Sequence, residues 1–192
     1  MMSVMEMARP AIEVQRERAE RLLNGVRAAV LVALACAAIV YAPHIPRSVQ
    51  RANWAVLIPA LAWSLAQFWL DAHRYVREQP LPSWVALVNP LVDITAVTAI
   101  LAGSSVAQSG VLALKSPIFL AYFVILSARP IASSTRKAAF AAVLVVVEYG
   151  TLVTVLLTGG RVPLTDSPII ASGSASVSIL DEGAKIMLLV VA

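Results

Sequence analysis

The chain has 192 residues and a formal net charge of +4. Hydrophobic residues make up 59% of it and charged residues only 14%, whereas soluble domains carry about 25% charged residues. A mean hydropathy of +0.81 favours an integral membrane protein over a soluble domain. The single cysteine excludes an intramolecular disulfide and a thiolate cluster. Outside the membrane-flanking positions the sequence has no basic cluster with interleaved aromatic residues, so nucleic-acid binding is not predicted.

The first predicted element is an amphipathic helix over Pro10–Asn24, within a cytoplasmic N-terminal segment of residues 1–25. Pro10 suits a first helical turn, and Glu17 and Arg21 have the favourable i, i+4 order. We interpret this helix as an interfacial anchor on the membrane surface, with contact to a cytoplasmic output domain as the alternative. Because the first long apolar run begins only after about 25 residues, no cleavable signal peptide is predicted.

Residues 26–192 contain six apolar stretches, which predict an all-α polytopic membrane bundle of six transmembrane helices. A hydrocarbon core about 30 Å thick needs about 20 mostly apolar residues at about 1.5 Å each. The last stretch is interrupted by charge and could begin near Pro168 or near Ile179. The stretches are Val26–Tyr41, Trp54–Leu70, Trp84–Ala102, Leu112–Ala128, Ala138–Leu157 and one that ends at Ala192.

Two serines mark predicted helix starts. Ser116 precedes Pro117, a pattern typical of an N-cap followed by proline at the first helical position. Ser178 and Asp181 match a capping box. The longest connection, Thr158–Ser178, is rich in Gly, Ser, Pro and Thr, which favours a loop that covers the bundle or a re-entrant piece.

The basic residues predict the orientation. Leaving aside Lys185 in the last stretch, ten fall on the side of the N-terminus and four on the other. The positive-inside tendency therefore places both termini in the cytoplasm of a bacterial inner membrane, with Arg136 inside and Arg161 outside. The last stretch lacks a basic or polar flank at Ala192, where a free carboxylate in the apolar layer would be costly. We therefore expect a cytoplasmic output domain to follow residue 192.

Charged residues within or beside the apolar stretches are the candidate site. Each should face the bundle and find a partner, because an ionised side chain at the bilayer centre costs several kcal/mol. In one interpretation Lys185, together with Lys115, forms a structural network with Asp93 and Glu148. Lys185 can also pair locally with Asp181 or Glu182, at i−4 and i−3 of its own helix. In the other, these residues form a ligand site, an ion site or a proton relay. They are Asp93, Lys115, Glu148, Asp181, Glu182 and Lys185.

Catalytic motifs are absent from the sequence. It contains no HExxH, Gly-x-Ser-x-Gly, P-loop or CxxC pattern, so no catalytic residue is predicted. His44 and His73 fall at opposite membrane edges, which argues against haem ligation by two histidines. We expect no metal and no cofactor in this chain.

Two segments, residues 114–123 (LKSPIFLAYF) and 180–185 (LDEGAK), resemble stretches in the N-terminal membrane domains of some bacterial class III adenylate/guanylate cyclases. The spacing to Asp93 and to Glu148-Tyr149 is similar, and the resemblance covers roughly residues 20–192. In that family a cytoplasmic cyclase domain follows the sixth helix and makes a cyclic nucleotide at a dimer interface, using metal-binding aspartates. The resemblance implies a membrane-anchoring, sensory or dimerising module, with the lipid bilayer and a second copy as partners and an unknown ligand.

Two other functions stay open. The chain could be an accessory structural subunit of a larger membrane complex, in contact with other membrane subunits. It could also be a small transporter, although such proteins are typically built from inverted repeats and no convincing repeat relates residues 26–102 to residues 112–192.

Overall fold

The computed structural model describes residues 4–44, 46–77, 79, 82, 84–132, 135–165 and 176–191. Almost all of these residues are helical, which confirms the prediction of an all-α chain. Two 3-10 turns cover Ala42–His44 and Pro117–Phe119. The helices are α1 (Val4–Tyr41), α2 (Arg47–Val76), α3 (Val85–Ala107), α4 (Gly110–Leu114), α5 (Leu120–Ala132), α6 (Thr135–Thr158) and α7 (Ile179–Val191).

Within the described residues, five helical stretches are long and apolar enough to cross a membrane, judged by length and composition. They are Arg18–Val40, Arg47–Val76, Leu87–Ala107, Gly110–Ser127 and Thr135–Thr158. The sixth predicted span corresponds to α7, which has 13 residues and is therefore about 20 Å long. That is shorter than a hydrocarbon core of about 30 Å, so α7 differs from the other five.

Helix α1 joins the predicted N-terminal helix to the first apolar stretch without interruption. It begins at Val4, so Pro10 lies inside the helix and not in its first turn. One residue, Gly25, separates the predicted helix Pro10–Asn24 from the apolar stretch that begins at Val26. A single glycine costs a helix only about 1 kcal/mol, and this is too little to separate the two segments.

The predicted fourth span is broken in its first half. Helix α4 ends at Leu114, and the chain passes through Lys115 and Ser116 into the 3-10 turn that precedes α5. Ser116 has an extended backbone, and its hydroxyl accepts a hydrogen bond from the Ile118 amide at 3.3 Å. The predicted N-cap is thereby confirmed. Pro117 contributes to the break, because a proline disfavours helical geometry in the residue before it.

The long connection after α6 packs on the start of α4. A Cβ atom at Gly110 would lie 2.6 Å from Val162 Cγ2, so only glycine allows this approach. Two short strands, β1 (Leu164–Thr165) and β2 (Val177–Ser178), pair in parallel. Helix α7 follows β2 directly and begins at Ile179, one of the two predicted starts. The other, Pro168, lies outside the described residues.

The predicted capping box at the start of α7 is not formed. Ser178 lies in β2, opposite Thr165. Its hydroxyl is buried and has no hydrogen-bond partner in the described part of the chain. The side chain therefore does not cap the first turn of α7.

The apolar core lies where α3, α5 and α6 meet. Its fully buried members include Ile94, Leu101, Tyr122, Val145 and Tyr149. Helix α3 packs on α2, α5 and α6, while α1 packs on α2 and α5, and α7 packs on α6. Helix α3 is therefore the central element, and it positions the polar groups described next.

Candidate functional site

Helix α3 carries polar side chains on two opposite sides. At about 100° per residue, Asn89 and Asp93 lie about 190° around the helix from Thr95 and Thr98. The first pair contacts side chains of α1 and α2, and the second pair contacts α6. Asp93 and Glu148, two of the six charges that the sequence predicted as one site, therefore lie on opposite sides of α3.

Asp93 pairs with Arg27 of α1. The distance between Arg27 Nε and Asp93 Oδ1 is 2.6 Å, and the two side chains are only 12% and 17% exposed. Lys185 was considered as the partner of Asp93, but the structure shows Arg27 in that place. Helix α1 is continuous through this position, and its side chains reach α3 at Arg27–Asp93 and at Asn24–Asn89.

Glu148 of α6 is held by hydroxyl groups of α3. Thr95 Oγ1 donates to Glu148 Oε1 at 2.7 Å, and Thr98 Oγ1 donates to Glu148 Oε2 at 2.5 Å. Tyr122 lies 2.7 Å from the same threonine oxygen. An ionised carboxylate only accepts hydrogen bonds, so the order of donation is Tyr122 to Thr98 to Glu148. Lys185 is not part of this group.

Helix α7 is joined to the break after α4 by a second polar group, which we call the α7 junction: Glu182, Lys185, Tyr149 and the Leu114 carbonyl. Tyr149 Oη donates to Glu182 Oε2 at 2.5 Å, and Lys185 Nζ lies 2.6 Å from Glu182 Oε1. Lys185 Nζ also donates to the Leu114 carbonyl at 2.8 Å. The last carbonyls of a helix lack partners within it, so Lys185 satisfies a group that the break leaves open.

The pairing of Lys185 with Glu182 follows the local i−3 alternative of the sequence analysis. Glu182 is only 3% exposed, and its two carboxylate oxygens have different donors. Breaking this group would leave a charge in an apolar interior, which is strongly unfavourable. The position of α7 is therefore tied to α6 and to the end of α4.

Aromatic rings connect the Glu148 group to the α7 junction. The rings of Tyr122 and Tyr149 meet edge to face, with centroids 5.9 Å apart. Phe119 contacts both, at 6.0 Å from Tyr122 and 4.9 Å from Tyr149. Such edge-to-face and tilted pairs are favourable and geometrically specific. The two polar groups thus share one rigid aromatic wall, although no hydrogen bond joins them.

A cleft of about 430 Å³ lies beside the start of α7. Four of the six predicted site residues line it, with Asp181 half-buried and Lys115 exposed. Asp93 and Glu148 do not belong to it. Its lining residues are Lys115, Val177, Ser178, Asp181, Glu182, Ala184, Lys185 and Leu188.

Several partners in these groups were not predicted. The threonines at 95 and 98 gave no signal, because a threonine in an apolar stretch usually bonds to its own helix backbone. A further buried polar group joins Asn24, Asp71 and Asn89 of three different helices. The sequence signal of Asn24 and Asp71 was a position beside an apolar stretch, and that of Asn89 was a position inside one. Among the described residues, no group of three or more His, Cys, Asp or Glu side chains could hold a metal ion.

Comparison with protein-family models, curated proteins and solved structures found no match to this chain. The site is therefore interpreted from its own geometry and from the sequence resemblance alone.

Proposed function

We propose that the protein is a multi-pass domain of a bacterial inner membrane that senses or transmits a signal through α7. The outer surface of the long helices supports insertion into lipid. Large apolar side chains such as Val30, Ile58, Phe68 and Val143 are exposed there, and soluble monomers rarely expose apolar patches on this scale. The charged pairs face inward, as expected for a bundle in a bilayer.

The α7 junction is the observation that carries the signalling part of the proposal. Lys185 and Glu182 connect the last helix to the broken fourth span and to Tyr149 of α6. The cleft beside the junction gives a small molecule access to the same residues. A ligand that competes for Lys185 or Glu182 would change the contacts that fix α7. It would then bind more tightly to one position of α7 than to another, and this difference in affinity is what shifts a protein between two conformations.

The resemblance to cyclase membrane domains extends the proposal to the output. In that family a catalytic domain is joined to the sixth helix, and two copies form the active centre. We therefore propose a second copy of this chain as a partner and a class III cyclase domain as the element that α7 drives. A function inferred by resemblance rests on association, and it needs a direct test.

The test uses the complete natural gene product, expressed in a bacterium that lacks its own cyclase. Cyclic AMP and cyclic GMP would be measured in membranes that contain the unaltered protein or the Lys185→Met variant. We expect synthesis of a cyclic nucleotide, changed by about fivefold or more in the variant, the lower range of typical allosteric coupling. The matched control is Lys137→Met, because Lys137 is a half-buried lysine at the start of α6, away from the junction.

Two results would contradict this proposal. A purified natural product with a mass near 20.4 kDa and no cyclase activity would favour an accessory subunit of a larger membrane complex. Equal activity in the Lys185→Met and Lys137→Met proteins would show that the junction does not control the output.

A further inference from the structure

The inward face of α2 is polar in one half of the helix. Ser64, Gln67 and Asp71 are 1%, 2% and 6% exposed, respectively. These residues lie on successive turns of one helix face, about 4.5 Å and about 6 Å apart along the axis. Helix α2 is otherwise apolar enough to be a candidate membrane span, so three buried polar residues in a row need an explanation.

A directed chain of hydrogen bonds ends on this face. Trp63 Nε1 donates to Asn89 Oδ1 at 3.1 Å, and Asn89 Nδ2 donates to Asn24 Oδ1 at 3.0 Å. Asn24 Nδ2 then donates to Asp71 Oδ2 at 2.6 Å. Each amide donates through nitrogen and accepts through oxygen, so the chain fixes both amide orientations and ends at a carboxylate. It links α1, α2 and α3 in the interior of the bundle.

Two atoms beside this chain have no partner. Ser64 Oγ and Gln67 Oε1 are buried, and neither makes a hydrogen bond within the described part of the chain. An unpaired polar group in an apolar interior is strongly unfavourable, and at least about 90% of buried polar groups in proteins bind either protein or ordered water. Two such atoms on adjacent turns, next to this chain of hydrogen bonds, therefore indicate a bound species.

The spacing along α2 suits water. One water molecule that bridges two polar atoms spans about 5–6 Å, since each hydrogen bond is about 2.8 Å long. A single metal ion needs several oxygens within about 2.6 Å of one point, whereas these side chains are spread over about 10 Å of helix. Lipid has no access, because all three residues are buried.

We propose that the inward face of α2 holds a short file of bound water that links Ser64, Gln67 and Asp71. On the same face, toward the N-terminal end of α2, the next two residues are Ala60 and Leu57. Both are buried and apolar, so the file ends there. Asp71 lies in the part of α2 that ends near Arg74. The file thus extends from Ser64 toward the end of α2 that carries Arg74, and it is closed at Ala60.

Cysteine reactivity tests for this file of water. Ser64→Cys and Ala60→Cys would be made in a Cys36→Ser background and reconstituted in lipid nanodiscs. Both would then be treated with 2-aminoethyl methanethiosulfonate. The cysteine thiolate attacks the sulfur of this reagent and displaces methanesulfinate, and the thiolate forms only in a polar, hydrated surrounding. We expect Ser64→Cys to react about tenfold faster or more, although the two positions are one turn apart and equally buried. Equal rates would overturn the proposal.

Thermal stability gives an independent test that needs no reagent. Ser64→Ala and Gln67→Met each remove a polar group with little change in shape. If water binds these groups, both substitutions should lower the Tm, because they break hydrogen bonds of the bound water. A rise in Tm would mean that the side chains are dry and unpaired in the native protein, and that result would also overturn the proposal.

Discussion

Removing Arg27 should destabilise the bundle more than removing Arg27 and Asp93 together. The two side chains are 2.6 Å apart and mostly buried, so Arg27→Met leaves a carboxylate without this cation in an apolar surrounding. Breaking a buried pair from one side costs about 3–5 kcal/mol, whereas replacing both partners with apolar residues is often nearly neutral. The double variant Arg27→Met/Asp93→Leu should therefore recover most of the loss, with a coupling of about 3 kcal/mol.

The assay is reversible unfolding of the purified protein in mixed micelles, followed by far-ultraviolet circular dichroism. The unaltered protein, both single variants and the double variant complete one thermodynamic cycle. A second cycle combines Asp93→Leu with Lys185→Met, and its effects should add to within about 0.5 kcal/mol, because these residues share no partner. A coupling below about 0.5 kcal/mol in the first cycle would refute the assignment of Arg27. A larger coupling in the second would restore Lys185 as the partner of Asp93.

Three further outcomes are expected. Thr98→Val should lower the free energy of unfolding by about 1–2 kcal/mol through loss of side-chain hydrogen bonds between helices. The control is Thr154→Val, which should change it by less than about 0.5 kcal/mol, because the exposed Thr154 hydroxyl bonds to its own helix. Equal losses in the two variants would contradict a stabilising contact between Thr98 and Glu148. Ser116→Ala should cost about 1 kcal/mol through loss of the N-cap, measured by thermal unfolding. Cysteines at Arg136 and Arg161, in a cysteine-free background, should be labelled from opposite sides of intact membranes, and labelling of both from outside would overturn the predicted topology.

The sequence predicted the helices better than it predicted their partners. Length and hydropathy located the long helices, because a long apolar run has few alternatives to a helix. The break after α4 also had a local signal in Ser116 and Pro117. A single span over Leu112–Ala128 was nevertheless predicted, since hydropathy averages over such a break. The sequence does not show that the break exposes the Leu114 carbonyl or that Lys185 donates a hydrogen bond to it, because this contact forms only when the helices pack.

Side-chain partners were predicted wrongly, or not at all, where they depend on how the helices pack against one another. Asp93 required a cation, but its sequence position cannot show that α1 lies beside α3. Threonines illustrate the same limit. Thr151 bonds to the Val147 carbonyl of its own helix. Thr95 instead bonds to Glu148 of α6, and Thr98 does so in addition to bonding to a carbonyl of its own helix. All three occur in similar apolar contexts, and only the packing of α3 against α6 distinguishes them. Glu182 and Lys185, three residues apart, could be paired from sequence because both belong to one helix.

The opposed polar sides of α3 limit which parts of the bundle can move. A helix with one polar row can pivot about that row with little loss. In α3, a rotation that shortens the contacts of Asn89 and Asp93 must strain those of Thr95 and Thr98, and a translation along the axis strains both sets. Helix α3 is thus a fixed axis. The stretch from Ala28 to Val40 in α1 has only Cys36 as a hydrogen-bonding side chain, so relative sliding between helices is least restrained there.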